Sequence, residues 1–125
     1  MMGYDTYNAF NLDFDYNTTV GQAEAMHHHG LVAAGYNTFI LDDAYTEINR
    51  SASGALVANL TRFPGGMRKW TNAINKYGIS GSAYSSNGYK TCAGYPGAYG
   101  HEVQDVETWR SWGWTHMLKY DNCYM

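Results

Sequence analysis

The sequence predicts an α/β fold built on a parallel sheet, and three observations carry that prediction. Short apolar or alternating runs take turns with segments of helical periodicity. The gaps between successive runs are long enough for helical crossovers, which join parallel strands with right-handed connections. Polar and acidic residues collect at the carboxyl ends of those runs, so they gather at one rim of the sheet.

The elements follow in order. "MGY" (2–4) reads as a short opening strand. "NTTVGQAEAMHHHG" (17–30) spaces Val20, Ala23 and Met26 at helical intervals, with Asn17 or Thr18 as N-cap and Gly30 as the stop. "GYNTFILDDAY" (35–45) is a buried strand, Phe39-Ile40-Leu41, that ends in Asp42 and Asp43. "TEINRSASGALVANLTRF" (46–63) is an irregular insertion with a small hairpin turning at Ser53-Gly54. "FPGGMRKWTNAINKYG" (63–78) lines up Met67, Trp70, Ile74 and Tyr77 on one helical stripe, closed by Gly78. "ISGSAYS" (79–85) alternates as a strand does. "HEVQDVETWRSWG" (101–113) puts Val103, Val106, Trp109 and Trp112 on one side of a helix, and "THMLKYDNC" (115–123) reads as the last strand. The result is β-α-β-α-β-α-β.

A chain of 125 residues is expected to form one domain, 1–125. Net charge is −3 and only 15% of residues are charged, which argues against nucleic acid or an anionic membrane as the main partner. No run of 18 apolar residues is present to cross a bilayer. The opening "MMGYDTYNAF" has neither the basic start nor the apolar stretch of a signal peptide. Three sequons, Asn17-Thr18-Thr19, Asn49-Arg50-Ser51 and Asn59-Leu60-Thr61, nevertheless point outside the cytosol. Cys92 and Cys123 leave two alternatives: two reduced thiols, or one disulfide that would stabilise by roughly 3–4 kcal/mol. Twelve tyrosines and four tryptophans offer flat amphipathic rings suited to packing and to stacking on sugar faces.

The rim holds the candidate chemistry: Asp42 and Asp43 after the second strand, Tyr84 and "SSNGYKTCAGYPGAYGHE" after the third, Lys119 and Asp121 at the fourth. In barrel-forming β/α proteins that rim carries the active site. Four units are half of an eight-unit barrel, and an open half leaves edges uncovered; the sequence reads as truncated or in need of a partner. Lys119 and Asp121, two apart on a strand, share a face. A neighbouring ammonium lowers a carboxylate pKa and keeps it ionised for nucleophilic attack; a structural salt bridge is the other reading. Asp42-Asp43 suits sugar hydroxyls or simple capping. His27-His28-His29 turn about 100° apart on a helix and read as a solvated face, not a metal tract. Cys92 and Cys123 lack the further ligands of a structural zinc.

Taken together, "LDDAY", "TCAGYPGAYGHE" and "LKYDNC", preceded by "MGYDTYNAF", closely resemble the retaining α-galactosidases of glycoside hydrolase family 27. The resemblance implies a (β/α)8 TIM barrel of which this chain holds the first four β/α units. It aligns Asp121 with the catalytic nucleophile and Asp42 and Asp43 with the pair that binds galactose hydroxyls. Lys119 and Tyr84 match further sugar contacts, Tyr7 an aromatic against the sugar, and Cys92–Cys123 a disulfide that brings Cys92 to the pocket. It implies no cofactor or metal and α-galactoside oligosaccharides or glycoconjugates as partners. It also implies secretion or a vacuolar/lysosomal home, and dependence on the remaining barrel half or on self-association. Three departures stand out. Ala44 occupies a position usually Cys, with no cysteine in "NAFNLDFDYN" to pair with it. Gly3-Tyr4 replaces Gly-Trp. The general acid/base of the family falls beyond Met125, so the 125-residue piece is expected to be inactive alone. A non-catalytic remnant with weak galactose binding and an α-N-acetylgalactosaminidase are the alternatives.

Overall fold

The computed structural model describes residues 1–125. Strand β1 (Met2–Asp5) leads into a one-turn helix α1 (Tyr7–Phe10) and then helix α2 (Tyr16–His28). Strand β2 (Tyr36–Ile40) is followed by the 46–63 insertion and helix α3 (Met67–Asn75). Strand β3 (Ser80–Ser86), helix α4 (Glu102–Ser111) and strand β4 (Leu118–Asp121) complete the chain. The sheet order is β1-β2-β3-β4 and every pairing is parallel. This is the half-barrel that the sequence predicts: four parallel strands joined by three helical crossovers, with β1 and β4 as open edges.

Strand periodicity sorts the side chains onto two faces. Tyr4 and Phe39 point to the helices, their ring centroids 5.0 Å apart. Trp70 on α3 is sealed among Phe39, Phe63 and Trp114 at centroid distances of 5.6, 6.3 and 5.7 Å. Burying a ring this large removes apolar surface from water, but its N–H must then find an acceptor. Each fully enclosed indole does so. Trp70 Nε1 donates to Thr19 Oγ1 (2.8 Å), Trp114 Nε1 to Thr71 Oγ1 (2.8 Å), and Trp109 Nε1 to the Tyr45 hydroxyl (2.9 Å). The rings also explain Gly81: a Cβ there would meet Trp114 at 2.8 Å and Trp70 at 2.9 Å.

One local expectation is corrected, and one helix presents its faces in a way that periodicity leaves open. Helix α2 is capped by Asp15, not by Asn17 or Thr18; its carboxylate accepts the Thr18 amide at 2.8 Å and stays below the ordinary carboxylate range because of that bond. Helix α4 does not bury the Val103–Val106 face: Val103 is 80% exposed and Val106 52%. Its buried residues are Asp105 and Trp109. Asp105 owes its burial to Arg50 in the insertion. Its guanidinium grips both Asp105 carboxylate oxygens at 2.6 and 2.7 Å and donates to the carbonyls of Gly54 and Gly97. The insertion itself turns as predicted, with Gly54 in the left-handed region (φ 87°) and Thr46 bridged antiparallel to Ala58.

Candidate active site

The carboxyl ends of all four strands open into one cup of about 400 Å³, lined by Tyr7, Asn11, Leu12, Asp42, Asp43, Tyr84, Cys92, Ala93, Lys119 and Asp121. Every residue that the sequence nominated lies in that wall except Cys123, which reaches it through its bond to Cys92.

Asp42 and Asp43 follow β2 after Leu41 and are almost sealed, each 2% exposed. Such burial requires partners, and the chain supplies them. The Asp42 amide donates to Thr6 Oγ1 at 3.0 Å. Asp42 Oδ1 accepts the Asp43 amide at 2.8 Å, and Oδ2 accepts the Lys119 ammonium at 2.6 Å. Asp43 Oδ1 accepts from Thr91 Oγ1 (2.7 Å) and from the Ala44 amide (3.0 Å), and Oδ2 from the Ala93 amide (2.8 Å). The loop after β3 thus fixes the acid after β2. Ala44 adopts a left-handed backbone (φ 81°), rare for a residue with a side chain.

Lys119 and Asp121 share a face of β4 as the spacing predicts, but the ion pair between them does not form. Lys119 Nζ turns to Asp42 and to Asp5 Oδ2 (3.1 Å). Burial alone would lower the lysine pKa; the hydrogen bonds and charges of Asp42 and Asp5 outweigh it and hold the ammonium above its ordinary value. Burial raises Asp42, against the pull of Lys119 and the Asp43 amide. The directions are compatible, because one ammonium answers two carboxylates while Asp42 is sealed from water.

Asp121 meets different company. Tyr84 Oη donates to its Oδ2 at 3.3 Å, and the Cys92 sulfur lies 3.5 Å from the same oxygen. Burial, reinforced by the charge of Asp43, pushes the Tyr84 phenol above its ordinary range, so it remains a protonated donor. Its ring also lies 5.3 Å from Lys119 Nζ, and that of Tyr7 5.9 Å away. Cys92 and Cys123 are disulfide-bonded, with Cα atoms 5.1 Å apart. Their sulfurs lie within 4.8 Å of an Asp121 oxygen, yet both are committed to each other, leaving one carboxylate and no thiolate for a metal. The loop and β4 approach closely at Gly88, where a Cβ would sit 2.0 Å from the Cys123 carbonyl oxygen. The His27–His29 tract is exposed and contributes no residue to the cup's wall.

Sequence reasoning missed Asp5, Thr6 and Thr91. Asp5 ends β1 just as acids end β2 and β4, and that repetition was the signal available.

Comparison with known proteins gives a consistent answer. The family described as alpha galactosidase A (Melibiase_2) matches residues 11–125. An alpha-galactosidase from Cyamopsis tetragonoloba is 40% identical over 123 residues, covering 98% of this chain and 30% of its own. Among solved structures, alpha-galactosidase I from Mortierella vinacea superposes with a TM-score of 0.95 at 37% identity, covering 99% of this chain and 31% of that one. An alpha-galactosidase from Saccharomyces cerevisiae superposes with a TM-score of 0.94 at 36% identity, covering 99% and 27%. The chain therefore spans about a third or less of the relatives it matches.

Proposed function

Because the chain belongs to the alpha galactosidase A family, we propose that residues 1–125 form the N-terminal half of the catalytic barrel of a retaining α-galactosidase. The observation that carries this reading is the convergence of Asp121 with Asp42, Asp43, Lys119 and Tyr84 on one cup. Asp121 is the nucleophile: its oxygen bonds to the anomeric carbon as the glycosidic bond breaks. A second carboxylic acid, about 5–5.5 Å away in retaining enzymes, protonates the departing oxygen. Water then attacks the galactosyl–Asp121 ester, returns that proton and releases galactose.

The rest of the wall suits binding. Asp42 and Asp43 each keep acceptor capacity for sugar hydroxyls beyond the bonds they already make. Lys119 has three N–H donors, of which two are taken. Tyr7, 47% exposed, offers a ring to the sugar face. Three carboxyl groups, Asp42, Asp43 and Asp121, line the cup against one ammonium and favour the positive charge of an oxocarbenium-like transition state. Neither Asp42 nor Asp43 is free to serve as acid/base, since each is held by several donors. That role is assigned to the remainder of a longer protein, and the isolated 125 residues are expected to be inactive.

A Saccharomyces cerevisiae alpha-galactosidase has been solved with raffinose. Terminal α-galactosyl residues of oligosaccharides or glycoconjugates are the substrate class proposed here, with no cofactor. Secretion or a vacuolar/lysosomal location is supported by the disulfide and by the exposed sequon residues Asn17 and Asn49.

The test is a hybrid in which residues 1–125 replace the matching segment of the Mortierella vinacea enzyme. It should release nitrophenol from an aryl α-galactoside, and Asp121→Ala should cost roughly 10⁴-fold or more in kcat. An inactive hybrid, or an active Asp121→Ala variant, overturns the assignment.

A further inference from the structure

Resting on the reading that Tyr7 and Lys119 touch the sugar, we propose that Asp5 is a positioning residue that holds both of them. Asp5 is the last residue of β1, and its two oxygens point to different partners. Oδ1 accepts the Tyr7 amide at 2.9 Å, and Oδ2 accepts Lys119 Nζ at 3.1 Å. One carboxylate therefore joins the turn that presents the Tyr7 ring to an ammonium arriving from β4, 114 residues later.

Local structure explains why both partners need it. Helix α1 begins without a side-chain cap, since Thr6 is helical in backbone and makes no capping bond. The Tyr7 amide is one of the orphan donors of a helix start, and Asp5 Oδ1 accepts it. Lys119 carries its charge on a flexible four-carbon stem with rotatable donors. Asp42 alone would leave the ammonium free to swing about a single bond. A second carboxylate fixes two of its three N–H vectors and so sets where the third can go. The side chain of Asp5 is 30% exposed, against 3% for Asp42.

The consequence is a binding role. Loss of the Asp5 charge should loosen the ammonium in the ground state and the transition state alike, which raises KM and spares kcat, while an Asn oxygen can still accept the Tyr7 amide. In the hybrid described above, Asp5→Asn should raise KM for an aryl α-galactoside about tenfold, the size of one lost charged hydrogen bond. Turnover number should stay within about threefold, since the interaction is uniform, and the melting temperature should not change. Lys119→Ala and Tyr7→Ala run alongside. If both raise KM but Asp5→Asn does not, the positioning role is overturned while the sugar site survives. If Asp5→Asn instead lowers the melting temperature and kcat together, Asp5 is a structural prop and the proposal is wrong. If none of the three changes KM, or the parent hybrid has no turnover, the reading of the cup as a sugar site falls and takes this inference with it.

Discussion

Replacing Arg50 with Met should destabilise the chain by about 4 kcal/mol. Met keeps the apolar stem that Arg buries but removes the charge and all four hydrogen bonds. Asp105 is 0% exposed and the Arg50 side chain 13%, so the abandoned carboxylate cannot reach water without moving α4. Removing one partner of a buried pair costs roughly 3–5 kcal/mol. The carbonyls of Gly54 and Gly97 also lose their donor, although water reaching the loosened insertion offsets part of that loss. Against the roughly 5–15 kcal/mol typical of a domain, this is a large fraction. Urea unfolding followed by tryptophan fluorescence measures it. With a slope of about 1–3 kcal/mol/M the midpoint should fall by roughly 1.3–4 M. The companion variant Arg50→Met/Asp105→Leu should regain most of the loss, because an apolar pair of similar volume replaces an ion pair at little net cost. A single-variant loss under about 1 kcal/mol, or a double variant no better than the single, would refute the reasoning.

Two further outcomes follow from packing and capping. Gly81→Ala should cost about 1–3 kcal/mol by overpacking, because the new methyl meets two buried indoles that have no room to yield; thermal melting checks it. Asp15→Ala should cost about 1 kcal/mol at neutral pH through loss of the α2 cap. The folded pKa of Asp15 lies below 3.8, so the ionised form is the stabilising one. Its contribution is complete above that value and fades as pH falls through the folded pKa. Wild type and variant should therefore converge in strong acid, and a gap that persists there in acid denaturation would contradict the assignment.

The strands and their order were legible because each is short, apolar or alternating, and flanked by turns, and because right-handed crossovers leave few topologies. The rim was legible for the same reason: strand ends are fixed once strands are. What sequence could not supply was pairing across distance. Lys119 is two residues from Asp121, so spacing nominated that pair; folding instead brings β1 and β2 closer to the ammonium. Periodicity put Val103 and Val106 on one side of α4 with Trp109, yet only Trp109 of the three is buried, and an apolar count passes over Asp105. The guanidinium 55 residues away that makes Asp105 the buried residue has no local signature. Asp15 lost to Asn17 and Thr18 as cap because all three residue types cap well, and only the backbone decides which one turns outward.

The disulfide at the cup has a mechanical meaning. Cys92 sits between Thr91 and Ala93, the two residues that grip Asp43, and its sulfur is tied to Cys123, two residues past Asp121. A covalent and hydrogen-bonded span thus runs from the tip of β2 to the tip of β4 without passing through the sheet. It works as a caliper: the gap between the hydroxyl-reading acid and the attacking oxygen is set by a short strut, and a thiol reductant that opens the strut would let both jaws drift at once.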